Sequence, residues 1–434
     1  MTHTSDQNDD RTTDALEILS IVTGGDGLAR RPDGCVVFVP RTVPGERVSV
    51  VYTQQSRQWA RARVVDVIDA APQRCEPSCR HYARCGGCQL QHMDYDSQLD
   101  AKSGVIVESL RRLGGIDIDP PEVVRSAREF EYRNRLTFVL RQDGDTVLAG
   151  FHSIDAPSDI VDIDGCPLAE GPINRAWSAL RAAWVDNSRH MPRGDELRLT
   201  LRVNVAGEVG LAIEGARDPG DPGLLFESVA DLVALWMLDG DGHMVYRAGK
   251  RTLDEKWGTL SVPIAGTAFV QVNRDVAAQM DDYLLEQAGE INGSHVIDTY
   301  CGFGLRALEM SRRGATVLGI ELDRHSVNAA KKMAVESGST ARFIATGVER
   351  SLARELPADL VILNPPRSGV MKPVVTALVE QPPARVIYVS CDPATLARDL
   401  KGLATAFDVE ACRAFDLFPQ TAHVETVVTL ARKK

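Results

Sequence analysis

From residue 295 to the end of the chain, short apolar runs alternate with segments of helical length: HVIDTYCG, LRALEMSRRG, TVLGIELD, RHSVNAAKKMAVESG, ARFIATG, ADLVILNPPRSG, RVIYVSCDP, ATLARDLKGLA and HVETVVTLARK. Apolar strands separated by helices of that length build a doubly wound, Rossmann-like sheet, which takes its ligands at the carboxyl ends of its strands. The C-terminal domain is expected over residues 271–434. It is entered through RDVAAQMDDYLLEQAG, whose Val276, Met280 and Leu284 recur at helical spacing. The residues that end its strands are where chemistry is to be sought.

Upstream the period changes. Residues 15–70 read as short strands, ALEILSIV, CVVFVP, ERVSVVYTQ and WARARVVDVI, parted by GGDG, RPDG and TVPG turns, a pattern that predicts a small antiparallel barrel. Residues 71–270 hold a cysteine cluster, a helix-like DSQLDAKSGVIVESLRRLG and then mostly strands, as in RNRLTFVLRQ and ELRLTLRVNVAGEVGLAI, so a mixed, largely antiparallel central domain is expected. Residues 1–14 are polar and acidic and read as a disordered tail.

No apolar run approaches the length that spans a bilayer, and a cytoplasmic monomer without membrane association is expected. The net charge of -11 argues against a protein that simply coats nucleic acid. Local charge differs: no acid lies between Glu46 and Asp66, where Arg47, Arg57, Arg61 and Arg63 surround Trp59 and Tyr52. That interleaving suits a nucleic-acid groove and equally a solvated strand face.

In VIDTYCGFG an apolar strand ends in Asp298 and turns through Gly302 and Gly304, while Glu321 ends the next strand, where an acid can hold ribose hydroxyls. The third glycine of a dinucleotide fingerprint is missing, which favours S-adenosylmethionine over NAD. The prolines of Asn364-Pro365-Pro366-Arg367 stiffen the end of a further strand and could hold a flat base. Cys391 ends another strand directly before Asp392 and Pro393, a cap and first turn that would set the thiol against a helix amino terminus and lower its pKa. Asp392 would oppose this unless its charge is engaged in the cap. Glu425 opens an apolar strand, where burial would raise its pKa.

The nine cysteines are odd in number, which argues against a disulfide framework. Cys79, Cys85 and Cys88 of CEPSCRHYARCGGC have metal-ligand spacing, with Gly86 and Gly87 allowing a tight turn. Zinc would take Cys75 as a fourth thiolate, and an iron-sulfur cluster would take either Cys75 or the distant Cys166.

Taken together, EYRNRLTF, FVQVN, DTYCGFG, NPPR, SCDP and HVETV stand in the order found in the RNA 5-methyluridine methyltransferase family, which the chain resembles over nearly its whole length. GDGLARRPDGCVVFVPRTVPGERV looks like the RNA-binding TRAM barrel of that family. The resemblance implies a four-iron, four-sulfur (4Fe-4S) cluster on Cys79, Cys85, Cys88 and Cys166, leaving Cys75 as an extra. It implies S-adenosylmethionine contacts from Gln271, Tyr300, Glu321 and Asn364, a nucleophile in Cys391 that adds to uracil C6, and a general base in Glu425 that removes the C5 proton. Two positions depart from the family: Leu305 stands where Asn is usual, and Asn364 where Asp usually precedes Pro-Pro-Arg. A TRAM barrel together with a cluster favours ribosomal over transfer RNA as the substrate. The rival expectations are a transfer-RNA T-loop enzyme, an amino-group methyltransferase, and a noncatalytic RNA-binding protein that keeps the fold.

Overall fold

In the N-terminal segment, apolar residues alternate with polar ones along five strands: β1 (Asp14–Ile21), β2 (Gly27–Arg30), β3 (Val36–Val39), β4 (Arg47–Gln55) and β5 (Trp59–Asp69). One face of a period-two pattern must be buried, and here it is closed into a barrel around Leu16, Ile18, Val37, Val39, Val48, Val50 and Ala60. The computed structural model describes residues 14–143, 146–186, 191–258 and 260–434. The expected tail lies outside these except for Asp14, which begins β1 and accepts the Tyr52 hydroxyl at 2.8 Å. The barrel is not wholly antiparallel. Its order is β1-β2-β3-β5-β4, and β3 lies parallel to β5 because the chain crosses to β4 before β5 returns between them.

Helix α1 (Tyr95–Ser109) is capped by Asp94, whose carboxylate accepts the Ser97 N–H at 2.8 Å, and runs on as a π-helical turn, Leu110–Gly114. A two-residue strand follows, β6 (Val123–Val124).

The central domain is built from β7 (Arg135–Asp143), β8 (Thr146–His152), β9 (Ile160–Asp162), α2 (Gly171–Asp186), β10 (Leu197–Val203), β11 (Val209–Glu214), α3 (Pro222–Ser228), β12 (Leu232–Leu238) and β13 (Met244–Gly249). The strands form one sheet, β13-β12-β11-β10-β7-β8-β9, antiparallel except where α3 carries the chain over from β11 to a parallel β12. Helix α2 covers it through Trp177, which stacks on Phe138 at 3.8 Å between ring centroids. A hairpin, β14 (Leu253–Trp257) and β15 (Leu260–Ile264), leads into the last domain.

There α4 (Arg274–Ala288) buries Val276, Met280 and Leu284, as the spacing predicts. The alternation then runs β16 (His295–Thr299), α5 (Leu305–Arg312), β17 (Thr316–Glu321), α6 (Arg324–Glu336), β18 (Arg342–Ala345), α7 (Val348–Glu355), β19 (Leu360–Leu363), α8 (Lys372–Glu380), β20 (Arg385–Ser390), α9 (Pro393–Leu403), β21 (Phe407–Phe415) and β22 (Glu425–Arg432). The sheet order is β18-β17-β16-β19-β20-β22-β21-β6. Strands β16 to β20 are parallel, and the topological switch falls between β16 and β19. One face packs on α4, α5 and α6, and the other on α7, α8 and α9. Residues 95–124 belong by packing to this sheet: Ile106 and Leu110 are buried with Leu396 and Leu400 of α9, and β6 pairs with β21.

Candidate active site

At the switch point an open cleft of about 1010 Å³ is lined by Gln271, Asp298, Tyr300, Gly302, Leu305, Arg306 and Asn364, with Trp257 of the hairpin opposite. Of the expected cofactor residues, Gly304 and Glu321 are not in its wall. Tyr300 has φ 56, Gly302 φ 54 and Gly304 φ 71, so the loop turns through left-handed backbone at three positions. At Gly302 nothing would meet an added Cβ, which leaves room for a ligand, whereas at Gly304 a Cβ would come 2.3 Å from Phe343 Cε1. The two glycines thus serve different needs, one open approach and the other packing. Glu321 steadies the loop from behind, its carboxylate accepting the Gly302 N–H at 3.0 Å and the Leu322 and Asp323 N–H groups at 2.7 and 2.9 Å.

Asp298 is 1% exposed, and its Oδ1 is buried with no hydrogen-bond partner in the protein. Burial pushes its carboxyl up to about 7, with Arg306 acting against the rise. A buried acceptor in a ligand-sized cleft calls for a donor from the ligand. The amine and hydroxyl groups of S-adenosylmethionine meet that requirement, so the residues present fit this cofactor.

The register of the sheet brings Cys391 and Glu425 together at the carboxyl end of β20. Ser390, the last residue of β20, pairs with Thr426 of the antiparallel β22, so the next residue on each strand stands at the same end. Glu425 is 6% exposed in an interior strand, and burial raises its carboxyl to about 7 against the pull of Arg306 and Arg367. Asp392 caps α9, accepting the Thr395 N–H at 2.7 Å, so its charge is engaged as the sequence suggests. The thiol nevertheless departs from the expectation of a lowered pKa. Burial first and the Glu425 charge second push Cys391 up to about 11, and Arg367 opposes them. Desolvation penalises the thiolate, and the carboxylates of Glu425 and Asp392 add to that penalty.

Two cations tie these groups together. Arg306 donates to Asp281 Oδ1 at 2.6 Å, and Asp281 Oδ2 accepts the Trp257 indole N–H at 2.7 Å. Arg367 Nη2 lies 3.3 Å from His423 Nε2. Arginine only donates, so that imidazole nitrogen accepts and the ring is neutral; its pKa is held down to about 4 by burial first and then by Arg367. Sequence reading assigned no role to Arg306, Asp281 or His423. Asp281 had a legible signal, an acid beside Met280 on the apolar face of α4.

A second cavity, of about 300 Å³, is lined by Cys79, Cys85, Cys88 and Cys166 together with Gln91 and Arg133. Cys75 is exposed, and its thiol turns to the Gln91 carbonyl at 3.4 Å. Among the described residues, no three of the four lining sulfurs lie within 4.8 Å of one another, whereas zinc-sulfur bonds of about 2.3 Å bring tetrahedral thiolates to roughly 3.8 Å. The four thiols named by the resemblance thus line one cavity, and their donor set suits an iron-sulfur group. On the barrel, Arg61 and Arg63 of β5 point outward with Trp59, while Ala60 and Ala62 face the core.

The sequence profile described as tRNA (Uracil-5-)-methyltransferase matches residues 260–349 and 351–433. A protein of Gloeobacter violaceus described as an uncharacterized RNA methyltransferase is 33% identical, over 97% of this chain and 96% of its own length. The 23S rRNA (uracil(1939)-C(5))-methyltransferase RlmD of Chromohalobacter salexigens is 30% identical, over 98% of this chain and 91% of its own. Among solved structures, Pyrococcus abyssi tRNA (uracil-54, C5)-methyltransferase in complex with S-adenosyl-L-homocysteine superposes with a TM-score of 0.75 at 25% identity, covering 96% of this chain and 100% of that one.

Proposed function

Because the chain belongs to the family of S-adenosylmethionine-dependent RNA uracil-C5 methyltransferases, we propose that it methylates C5 of one uridine in large-subunit ribosomal RNA, with Cys391 as nucleophile and Glu425 as general base. The observation that carries this reading is the meeting of Cys391 and Glu425 at the carboxyl end of β20, with Arg306 facing both Glu425 and the cleft that fits the cofactor. S-adenosylmethionine supplies the electrophilic methyl group when bound, and Gln271, Asp298, Tyr300, Gly302 and Asn364 would hold it, with Glu321 bracing the loop.

Uracil C5 is too weak a nucleophile to be methylated directly, so a covalent adduct divides one hard step into easier ones. Cys391 gives its thiol proton to solvent, its Sγ adds to C6, and the C5=C6 electron pair moves to C5 and the O4 enolate. Arg367 faces both anionic groups and favours the thiolate as it forms. Once C5 carries the methyl group, the Glu425 carboxylate takes the C5 proton. The electron pair of the C5–H bond forms C5=C6, the C6–S bond breaks with its pair leaving on sulfur, and the thiolate takes a proton back from solvent. A carboxyl near 7 suits this task because close to neutrality it can give up its proton and is still basic enough to accept a carbon-bound one.

Cys79, Cys85, Cys88 and Cys166 would hold a four-iron, four-sulfur cluster, which would brace the central domain. The outward Trp59, Arg61 and Arg63 of the barrel would contact RNA. Leu305 and Asn364 leave the cleft without the usual side chains at two points, yet Asp298 retains its unpaired acceptor for the cofactor. No helix among the described residues is long and apolar enough to cross a membrane, and we place the enzyme in the cytoplasm as a monomer.

Similarity to RlmD supports ribosomal RNA. The alternative, a transfer-RNA T-loop uridine, is favoured by the likeness to the Pyrococcus abyssi enzyme. Labelled methyl transfer to total RNA from a deletion strain, followed by mapping of the labelled base, decides between them. Absence of cofactor binding at millimolar concentration would instead leave a noncatalytic RNA-binding protein. With 5-fluorouridine RNA, whose C5 fluorine cannot be removed, the wild type should accumulate a covalent adduct and Cys391→Ser should form none.

A further inference from the structure

Glu425 is reached from β21 through a loop, residues 416–424, which bonds partly within itself, as where Thr421 Oγ1 donates to the Phe418 carbonyl at 2.8 Å, and partly to distant parts of the chain. Asp416 Oδ1 and the Phe418 carbonyl accept from Lys102 Nζ at 2.6 and 3.2 Å, and the Pro419 carbonyl accepts the Tyr132 hydroxyl at 3.0 Å. The Ala422 N–H donates to Gln89 Oε1 at 3.3 Å. At the centre stands Gln420, 3% exposed and the only non-glycine residue of this loop with positive φ, at 69°.

Every polar group of Gln420 is used. Its carbonyl accepts the Gln89 and Leu90 N–H groups at 3.2 and 3.1 Å, directly after Cys88 of the cysteine cavity. Its N–H donates to Gln98 Oε1 and its Oε1 accepts from Gln98 Nε2, both at 3.0 Å, while its Nε2 donates to Glu129 at 3.3 Å. A non-glycine residue held in left-handed backbone by surrounding bonds marks a position whose geometry is imposed from outside, commonly in support of a functional site.

We infer that Gln420 is the positioning residue for Glu425: it fastens the loop that delivers the base to α1 and to the segment following the cysteines. The inference rests on Glu425 being the base. The Cys391 thiol is placed by β20 and α9, and the loop meets the attack only through His423 beside Arg367, three residues beyond Gln420, so the two halves of the reaction should separate when Gln420 is cut short.

Gln420→Asn keeps a side chain that tolerates left-handed backbone but no longer reaches Gln98 and Glu129. Turnover on uridine RNA should fall about 100-fold, the scale of a misplacement of about 1 Å. Adduct formation with 5-fluorouridine RNA, which needs attack and methylation but not proton removal, should stay within about twofold, with S-adenosylmethionine affinity unchanged. The methylated adduct should build up on ordinary uridine RNA. Gln98→Met, which breaks the same pair from α1, should give the same split and decides the matter if the Asn variant does not fold. Equal loss in both assays, or loss in neither, overturns the inference. Glu425→Gln run alongside separates the two claims. If it fails to trap adduct on uridine RNA, the base assignment falls, whereas trapping there with normal turnover in Gln420→Asn overturns the positioning role alone.

Discussion

Replacing Glu425 by Gln should stabilise the protein above neutrality while stalling the reaction it serves. The carboxyl is raised from 4.5 to about 7, chiefly by burial. A group with a raised folded pKa costs nothing below its unfolded value. The cost enters as pH climbs from about 4.5 to 7 and is complete above 7, because only the folded state holds the proton in that window. At about 1.4 kcal/mol for each pH unit, the rise corresponds to roughly 3 kcal/mol of lost stability at pH 8. Glutamine is neutral throughout and avoids that cost while keeping the shape of the side chain. With a shift of about 2–4 °C per kcal/mol for a domain of this size, the unfolding transition of the catalytic domain should rise by roughly 6–12 °C at pH 8 and by little at pH 4.5. Arg306 keeps Asp281 as its partner, so the substitution does not strand a buried cation. Calorimetric scans of wild type and variant at pH 4.5, 6 and 8 check this. A shift that is the same at every pH, or a variant less stable at pH 8, would refute the claim that desolvation sets this carboxyl. The same sample should accumulate methylated adduct on uridine RNA.

The cysteine cavity makes its own forecast: after anaerobic reconstitution, Cys75→Ser should keep the visible absorbance of an iron-sulfur cluster, and Cys166→Ser should lose most of it. Equal loss in both would place Cys75 among the ligands. Arg61→Ala and Arg63→Ala should each weaken RNA binding uniformly across sequences and lower the slope of log affinity against log salt by about one, as fluorescence anisotropy titrations at several salt concentrations would show. Lys102→Met should cost about 3–5 kcal/mol in chemical denaturation, since it leaves the fully buried Asp416 without its cation.

The alternation of strands and helices after residue 295 is strong enough to specify the doubly wound sheet, because each apolar run has only one way to bury both faces. The strand-end residues of the cleft were legible for the same reason. The companionship of Cys391 and Glu425 was not. It depends on β22 inserting antiparallel between β20 and β21, a register that no local pattern states. The raised Cys391 pKa was hidden likewise, since a cap and a proline can be read from neighbours in sequence while the burial and the Glu425 charge that outweigh them come from across the sheet. Residues alone left Cys75 and Cys166 as rival fourth thiols, and only tertiary packing brings Cys166 to the cavity. Arg306 follows directly on the glycine loop, yet its partner Asp281 lies on another helix, and charge pairs of that kind leave no periodic trace.

Strand β6 and helix α1 precede the central sheet in the chain but complete the sheet that follows it. The C-terminal domain is therefore a discontinuous module. A fragment beginning at residue 271 would expose the apolar flank of α9 and strip Ala414 and Phe415 of β21 of their pairing with β6, inviting aggregation. During synthesis the early piece must wait, its Ile106 and Leu110 without their final partners, until Leu396 and Leu400 have been made. The central sheet can fold while that wait lasts. Catalytic competence thus arrives with the last strand, and no truncated product of translation should possess it.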